Sequence, residues 1–240
     1  MLDLFMPNLC LADALCDWLK LTESEQTAIV TVVCALASAI VGYLLGSLNF
    51  AIIISRRLLR RDIRAHGSKN AGTTNMLRTY GTKYAVMTMV LDMLKGAVAT
   101  VFGALLCSMA IGAPIAGFFA IFGHMFPIYY RFKGGKGVAT TGMVALMLNP
   151  WVFLAMLFVF VVVTVGTRFV SLASIMAGFL YPILLKAFMP SAGWVQLMGF
   201  LTTIFVVFMH RENIKRLLAG KESKISFSRK KKEAEAEDNG

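Results

Sequence analysis

Long runs of apolar residues recur along most of the chain and are separated by shorter polar segments. The runs at 28–45, 87–106, 152–166 and 193–209 contain almost no charged residues. A helix of about 20 residues crosses the ~30 Å hydrocarbon core of a bilayer, whereas a helix in a soluble core needs no such length. The pattern therefore predicts an all-α, polytopic membrane protein.

These runs predict about seven transmembrane helices. Their approximate ranges are 27–54, 84–106, 113–130, 140–148, 152–166, 172–188 and 193–209. The predicted organisation is an acidic N-terminal extension at 1–26, a single transmembrane domain at 27–224 and a charged tail at 225–240.

Basic residues are confined to alternate connections. The first, third and fifth connections (55–83, 131–139 and 167–171) carry eight, three and one Lys or Arg, and the tail from Arg211 carries nine. The second, fourth and sixth connections carry none. Because cytoplasmic loops are enriched in Lys and Arg, the N-terminus is predicted outside and the C-terminus in the cytoplasm.

Composition excludes two other classes of protein. The 240 residues are 58% hydrophobic and 15% charged, with a mean hydropathy of +0.70, which is far too apolar for a soluble domain. The net charge of +11 comes from loops rather than from a basic helix or an aromatic-basic face, so nucleic-acid binding is not predicted.

The four cysteines include no CxxC pair and are interpreted as inert thiols; they are Cys10, Cys16, Cys34 and Cys107.

The most informative polar stretch is 124–137. Gly134, Gly135 and Gly137 surround Lys136, a combination that lets backbone N–H groups and a mobile ammonium converge on an anion. The spacing fits neither a P-loop nor GxGxxG. A flexible basic turn that follows the positive-inside rule explains the same residues, and both interpretations stay open.

A second stretch, 67–78, is rich in turn residues and hydrogen-bond donors. Ser68, Asn70, Asn75 and Arg78 could bind a phosphate, although simple turns with Asn75 capping a following helix are the alternative.

A third stretch, 210–216, ends the last predicted helix. His210 and Asn213 share one face by their i, i+3 spacing; the alternative, cations complementing the helix dipole, leaves Asn213 unexplained. Ser171 and Ser174 enter the sixth helix from the same side, where Ser171 is also suited to an N-cap.

Two further patterns lie inside the predicted helices. Asp92 and Lys95 are spaced i, i+3, and because ionised groups are costly in a membrane we expect them to pair. A structural role is favoured, and a catalytic one is the alternative because an intramembrane pair is often functional. Ser38, Gly42 and Gly46 form a small-residue stripe typical of helix packing.

All three polar stretches fall on one predicted membrane face, so a phosphate site at that surface is the economical explanation. The main alternative is a membrane transporter of organic phosphates, which would place polar residues near the midplane.

At this point the motifs resemble a known family. DIRAHGSKNAGTTNMLRTYG, GHMFPIYYRFKGGKGVATTG, and VSLASI with HRENIKRLLAGKE are similar to the three cytoplasmic motifs of the bacterial acyl-phosphate:glycerol-3-phosphate acyltransferases (PlsY). The resemblance runs from about Gly46 to Glu222 and includes LDMLKG at 91–96. Lys69 and Thr73 depart from it, since the family usually has Gly and Ala there.

The resemblance implies acyl transfer from acyl phosphate to the 1-hydroxyl of glycerol 3-phosphate, giving lysophosphatidic acid. It implies a multi-pass protein of the bacterial inner membrane whose active site faces the cytoplasm, with no metal or cofactor and with membrane lipid around it. The implied catalytic residues are Lys136, His210 and Asn213. The implied substrate-binding residues are Ser68, Asn70, Asn75, Arg78, Gly134, Gly135, Ser171 and Ser174. Since acyl phosphate already has a good leaving group, proximity and donors aimed at the oxyanion suffice, and the base is either His210 or the substrate phosphate itself.

Overall fold

The computed structural model describes residues 10–20 and 24–225, and this part of the chain is helical. Its helices are α1 (Leu11–Trp18), α2 (Ser24–Gly46), α3 (Phe50–Arg57), α4 (Thr73–Tyr80), α5 (Thr82–Leu106), α6 (Gly112–Met125), α7 (Val138–Leu148), α8 (Pro150–Thr167), α9 (Val170–Phe188), α10 (Gly193–Met209) and α11 (Arg211–Leu218). Short 3₁₀ turns occupy Ile63–Ala65 and Ile128–Tyr130. The predicted all-α class is confirmed. Residues 1–9 and 21–23 of the predicted extension and 226–240 of the predicted tail lie outside the described residues.

Most of the predicted transmembrane helices are long enough to cross a bilayer. In the described ranges the five candidate spans are Thr27–Arg57, Thr82–Leu106, Gly112–Tyr130, Pro150–Thr167 and Val170–Phe188, and α10 with α11 would make a sixth despite a 56° bend. Helix α7 has 11 residues and is only about 16 Å long, roughly half of the ~30 Å hydrocarbon core. The polytopic membrane class is confirmed, whereas the number of seven spans and the orientation of the termini stay predictions.

Two of the predicted helices are interrupted. The first breaks at 47–49, where α2 ends and the Asn49 side chain accepts a hydrogen bond from Ile52 N to begin α3. The third ends at Met125, two residues before Pro127, because proline cannot donate to a helix and disfavours helical backbone before it. The hydropathy pattern shows neither break, because Ser47 and Asn49 stand between long apolar stretches and apolar residues continue past Met125.

The predicted first connection contains a helix of its own, α4. Gly72 is its N-cap and Asn75 lies in its first turn, so the interpretation of Asn75 as a cap is wrong. Gly81, with a φ of 87°, ends α4, and α5 begins at the next residue.

Helix α6 lies at the centre of the fold, since 12 of its 14 residues are buried. The predicted small-residue stripe of α2 packs against it. A Cβ on Gly42 would lie 2.3 Å from the carbonyl oxygen of Ala116, and one on Gly46 would lie 2.1 Å from that of Ala120. The prediction that these glycines serve helix packing is confirmed. Their close approach places the break at 47–49 beside the end of α6.

Candidate functional site

A cavity of about 1100 Å³ brings together the three polar stretches that the sequence singled out. Its polar lining comes from 67–78, from 136–137, from the start of α9, from the bend between α10 and α11, and from residues 222–223. Its apolar lining comes from α5, α7, α8, α9 and α10 and includes Met89, Met93, Phe153, Met156, Phe160 and Val206. One cavity thus offers both hydrogen-bonding groups and a long apolar wall.

Nine of the 11 predicted site residues line this cavity. They are Ser68, Asn70, Asn75, Arg78, Lys136, Ser171, Ser174, His210 and Asn213. The other two, Gly134 and Gly135, are not among its lining residues.

Lys136 is a half-buried cation of the site. Its Nζ donates a hydrogen bond to Asn213 Oδ1. Burial lowers the pKa of Lys136 to about 8; the carboxylate of Glu222 opposes this shift, and the charges of Arg216 and Arg78 add to it. An ammonium whose charge is poorly solvated has a strong preference for an anionic partner.

Glu222 connects the donors around Lys136. Its Oε1 accepts hydrogen bonds of 2.7 Å from Asn213 Nδ2 and from Ser171 Oγ, and its Oε2 accepts one of 2.7 Å from Arg216 Nε. Burial favours the neutral carboxyl, but these three hydrogen bonds outweigh it and lower the pKa of Glu222. The carboxylate therefore fixes the Asn213 amide so that its oxygen faces Lys136.

Sequence reasoning assigned no role to Glu222 or Arg216. The available signal was their place in HRENIKRLLAGKE, where Arg216 lies three residues and Glu222 nine residues after Asn213. The N-cap interpretation of Ser171 is wrong, since α9 begins at Val170 with Phe169 as its N-cap. Ser171 instead reaches Glu222, while Ser174 donates to Val170 O and lines the cavity.

His210 lies at the bend between α10 and α11 and is 2% exposed. Its Nδ1 lies 2.8 Å from the carbonyl oxygen of Val206. Because a carbonyl oxygen can only accept, Nδ1 carries the proton and Nε2 of the neutral ring is left as a proton acceptor. Since His210 also lines the cavity, this tautomer suits a general base.

Asn75 organises the loop between α3 and α4, residues 58–72. Its Oδ1 accepts from Ser68 N at 2.9 Å, and its Nδ2 lies within 3.0–3.3 Å of the carbonyl oxygens of Ile63, His66 and Asn70. The side chain is thus used within the loop, and we interpret Asn75 as a group that shapes the site.

Three positions in this loop have left-handed backbone: Arg60, Gly67 and Lys69. Gly67 has a φ of 56°, and a Cβ there would lie 2.2 Å from Asn75 Oδ1. Lys69 has a φ of 59°, which explains why the resembled family usually has glycine at this position. The departure at Lys69 therefore keeps the loop shape with some backbone strain.

Arg78 connects this region to the end of the described chain. Its NH2 group donates to Ser223 O at 3.3 Å. Ile225 N donates to Arg168 O at 2.9 Å, so residues 222–225 contact both α4 and the connection between α8 and α9. The segment after α11 is therefore part of the site's wall.

The expectation that Gly134 and Gly135 offer N–H groups to an anion needs correction. Gly134 N donates to Met125 O and Gly135 N to His124 O, both at 3.1 Å, so these N–H groups are already used. A Cβ on Gly134 would lie 2.0 Å from His124 O, and one on Gly135 would lie 2.3 Å from Ala71 O. These glycines allow close backbone approach and thereby place Lys136.

The predicted Asp92–Lys95 pair is present, with Lys95 Nζ 2.8 Å from Asp92 Oδ1. His124, which sequence reasoning left without a role, joins it: its Nδ1 is 2.9 Å from Lys95 Nζ. Asp92 and His124 also line the cavity. In the described ranges no group of three or more His, Cys, Asp or Glu residues is arranged to hold a metal ion.

Comparisons with known proteins agree with this geometry. The sequence profile of the family described as "Glycerol-3-phosphate acyltransferase" matches residues 36–220. A protein of that name from Thermoanaerobacter pseudethanolicus is 40% identical over 191 residues, which are 80% of this chain and 96% of the relative. A Bacillus subtilis protein of the same name is 40% identical over 188 residues, which are 78% of this chain and 96% of the relative.

Two solved structures of PlsY, described as an integral membrane glycerol 3-phosphate acyltransferase, share the fold. The glycerol 3-phosphate form has a TM-score of 0.74 and 36% identity, with 80% of this chain and 96% of that chain covered. The lysophosphatidic acid form has a TM-score of 0.72 and 35% identity, with 80% and 95% covered.

Proposed function

Because the chain belongs to the glycerol-3-phosphate acyltransferase family, we propose that it transfers a fatty acyl group from acyl phosphate to the 1-hydroxyl of glycerol 3-phosphate. The products are lysophosphatidic acid and phosphate. One observation carries the proposal: a single cavity joins the donors of three separate polar stretches to an apolar wall built from five helices. A soluble anion and a lipid-like anion both find complementary surface there.

Glycerol 3-phosphate binds at the polar lining in this proposal. Arg78 and Lys136 supply positive charge, and Ser68 and Asn70 line the same cavity. Charge-assisted hydrogen bonds to phosphate are roughly twice as strong as neutral ones, so the two cations would dominate affinity.

The acyl phosphate donor places its chain along the apolar lining. The apolar residues Met89, Met93, Phe153 and Phe160 come from helices that the bilayer surrounds, so the acyl chain can enter from the lipid phase. The phosphate of the donor then lies toward Ser171, Asn213 and Lys136. Holding both reactants in one cavity supplies proximity, which can contribute about 7–11 kcal/mol to lowering a barrier.

In the chemical step the 1-hydroxyl oxygen attacks the carbonyl carbon and the bond from that carbon to the phosphate oxygen breaks. Phosphate leaves with the bonding electrons, and Lys136 stabilises the developing oxyanion. The hydroxyl proton goes either to His210 Nε2 or to the substrate phosphate, whose second pKa is about 6. In His210→Ala, a rate abolished with intact substrate binding would assign the proton to His210.

The proposed location is the bacterial inner membrane, with the cavity facing the cytoplasm. The charge bias of the loops supports it, because the cavity is lined by the first and third basic connections and by the segment after the last long helix.

The test is product formation by the purified full chain in detergent. Supplied with palmitoyl phosphate and glycerol 3-phosphate, it should form lysophosphatidic acid and release phosphate in equal amounts. Palmitoyl-CoA in place of palmitoyl phosphate should give little or no product. Uptake of glycerol 3-phosphate into proteoliposomes without acylation would overturn the proposal in favour of a transporter.

A further inference from the structure

We infer that Lys95, with Asp92 and His124, is a positioning group that holds the break at 47–49, the loop between α3 and α4 and the GGKG segment (134–137) in one arrangement. The inference rests on the proposed function, since it gives these residues a part in the same reaction.

The three hydrogen-bond donors of Lys95 are all used. Its Nζ lies 2.8 Å from Leu48 O, 2.8 Å from Asp92 Oδ1 and 2.9 Å from His124 Nδ1. An ammonium has three N–H bonds, so each acceptor takes one. His124 Nδ1 is then the unprotonated nitrogen, and the neutral ring carries its proton on Nε2. The side chains of Lys95, Asp92 and His124 are at most 5% exposed, which makes this match of donors to acceptors necessary.

One branch of the cluster leads to the loop between α3 and α4. Leu48 lies in the break, and Phe50 N, just after it, is 3.5 Å from Asp92 Oδ1. Between them, Asn49 Nδ2 donates to Ala71 O at 3.2 Å. Ala71 follows Asn70, which lines the cavity. The ion pair therefore fixes the break, and the break fixes the loop.

The other branch leads to the GGKG segment through His124. The carbonyl oxygen of His124 accepts from Gly135 N at 3.1 Å, and a Cβ on Gly135 would lie 2.2 Å from His124 Nε2. The backbone and ring of His124 thus contact the residue just before Lys136. Both branches also meet directly, because the same Cβ position on Gly135 is 2.3 Å from Ala71 O.

Stability alone does not account for such a cluster. Replacing a buried ion pair by uncharged residues of similar volume is often neutral or stabilising, whereas removing one partner is strongly destabilising. In addition, Lys95 and Asp92 bind the backbone of the break at 47–49 and the ring of His124, which contact the segments that carry cavity residues. A displacement of about 1 Å in a reacting group can lower a rate 100-fold, so a small relaxation of this cluster would reach the chemistry.

The first test is the double variant Asp92→Asn with Lys95→Met, which keeps the net charge and removes the ion pair. We expect a thermal unfolding midpoint in detergent close to that of the wild type but a kcat about 10- to 100-fold lower. Thr100→Val is the matched control, because Thr100 is a buried residue of the same helix whose hydroxyl donates only to Gly96 O. It should retain the wild-type kcat. A folded double variant with wild-type kcat would overturn the inference.

The second test compares two changes at His124 and decides the matter if the double variant does not fold. Asn at this position can place its carbonyl oxygen where Nδ1 accepts from Lys95, whereas Ala cannot. We expect His124→Asn to keep at least a third of the wild-type kcat and His124→Ala to lose at least tenfold. Equal kcat values in the two variants would overturn the inference. Wild-type protein is measured in the same assay. If the proposed function is wrong, the wild type shows no acyl transfer; if only this inference is wrong, the wild type is active and the two His124 variants have equal kcat values.

Discussion

At the scale of the residue, the centre of the site is a set of hydrogen-bond donors arranged around Lys136 and Glu222. Lys136 donates a hydrogen bond to Asn213. Glu222 accepts hydrogen bonds from Asn213, Ser171 and Arg216. The chemistry of Lys136 therefore depends on whether its side-chain amine is protonated. Burial lowers the pKa of Lys136 to about 8, close to physiological pH.

The pKa of Lys136, lowered by burial to about 8, predicts a pH dependence of substrate binding. Below this value the ammonium is charged and attracts phosphate; as the pH rises through it, the charge is lost. The KM for glycerol 3-phosphate should rise about tenfold between pH 7 and pH 9.

The control for this prediction is Lys136→Arg, since a guanidinium stays charged throughout that range. Its KM should stay constant between pH 7 and pH 9, whatever its absolute rate. A wild-type KM that does not change over the same interval would contradict the assignment.

At the scale of the element, the GGKG segment depends on the absence of side chains. A Cβ on Gly135 would meet both His124 Nε2 and Ala71 O at distances that no real contact allows. Gly135→Ala should therefore displace the segment and lower kcat/KM by at least 100-fold.

Gly166→Ala, in α8, is the matched control for that substitution. A Cβ at Gly166 meets nothing within 4 Å, so the variant should retain full activity and gain slightly in stability from the better helix propensity of Ala. Steady-state kinetics and thermal unfolding in detergent check both variants. Comparable activity in the two would refute the packing argument.

The elements also show what the sequence could and could not predict. Long apolar runs gave the helices because length and hydropathy are properties of the chain alone. The breaks at 47–49 and at Met125 depend on tertiary hydrogen bonds and on one proline inside apolar sequence. Helix α4 has only eight residues, and its polar composition resembles that of a loop.

For the site, too, the sequence predicted the overall location but not the contacts between individual residues. The positive-inside rule brought three distant stretches to one face, and their meeting in one cavity follows that prediction. The separate roles of Gly134, Gly135 and Glu222 depend on distances of a few ångströms. No spacing along the chain contains that information, so an amide-donor role was assigned where close packing is found.

At the scale of the whole molecule, the cavity must open where its soluble substrate is. We predict that residues 219–225 lie in the cytoplasm and that the connection between α9 and α10 lies outside. In a variant whose four cysteines are replaced by Ser, Lys221→Cys should react with a membrane-impermeant maleimide only after the membrane is permeabilised. Ser191→Cys should react in intact spheroplasts. The opposite pattern of labelling would show that the orientation is wrong.

In the proposed reaction Lys136 acts on both anionic reactants inside the shared cavity. The most direct measurement is the kcat/KM of Lys136→Ala for lysophosphatidic acid formation from palmitoyl phosphate, with folding checked by gel filtration and thermal unfolding. We expect a folded protein whose kcat/KM falls at least about 100-fold, as when a donor to an oxyanion is removed. A folded Lys136→Ala with kcat/KM within threefold of the wild type would contradict the account.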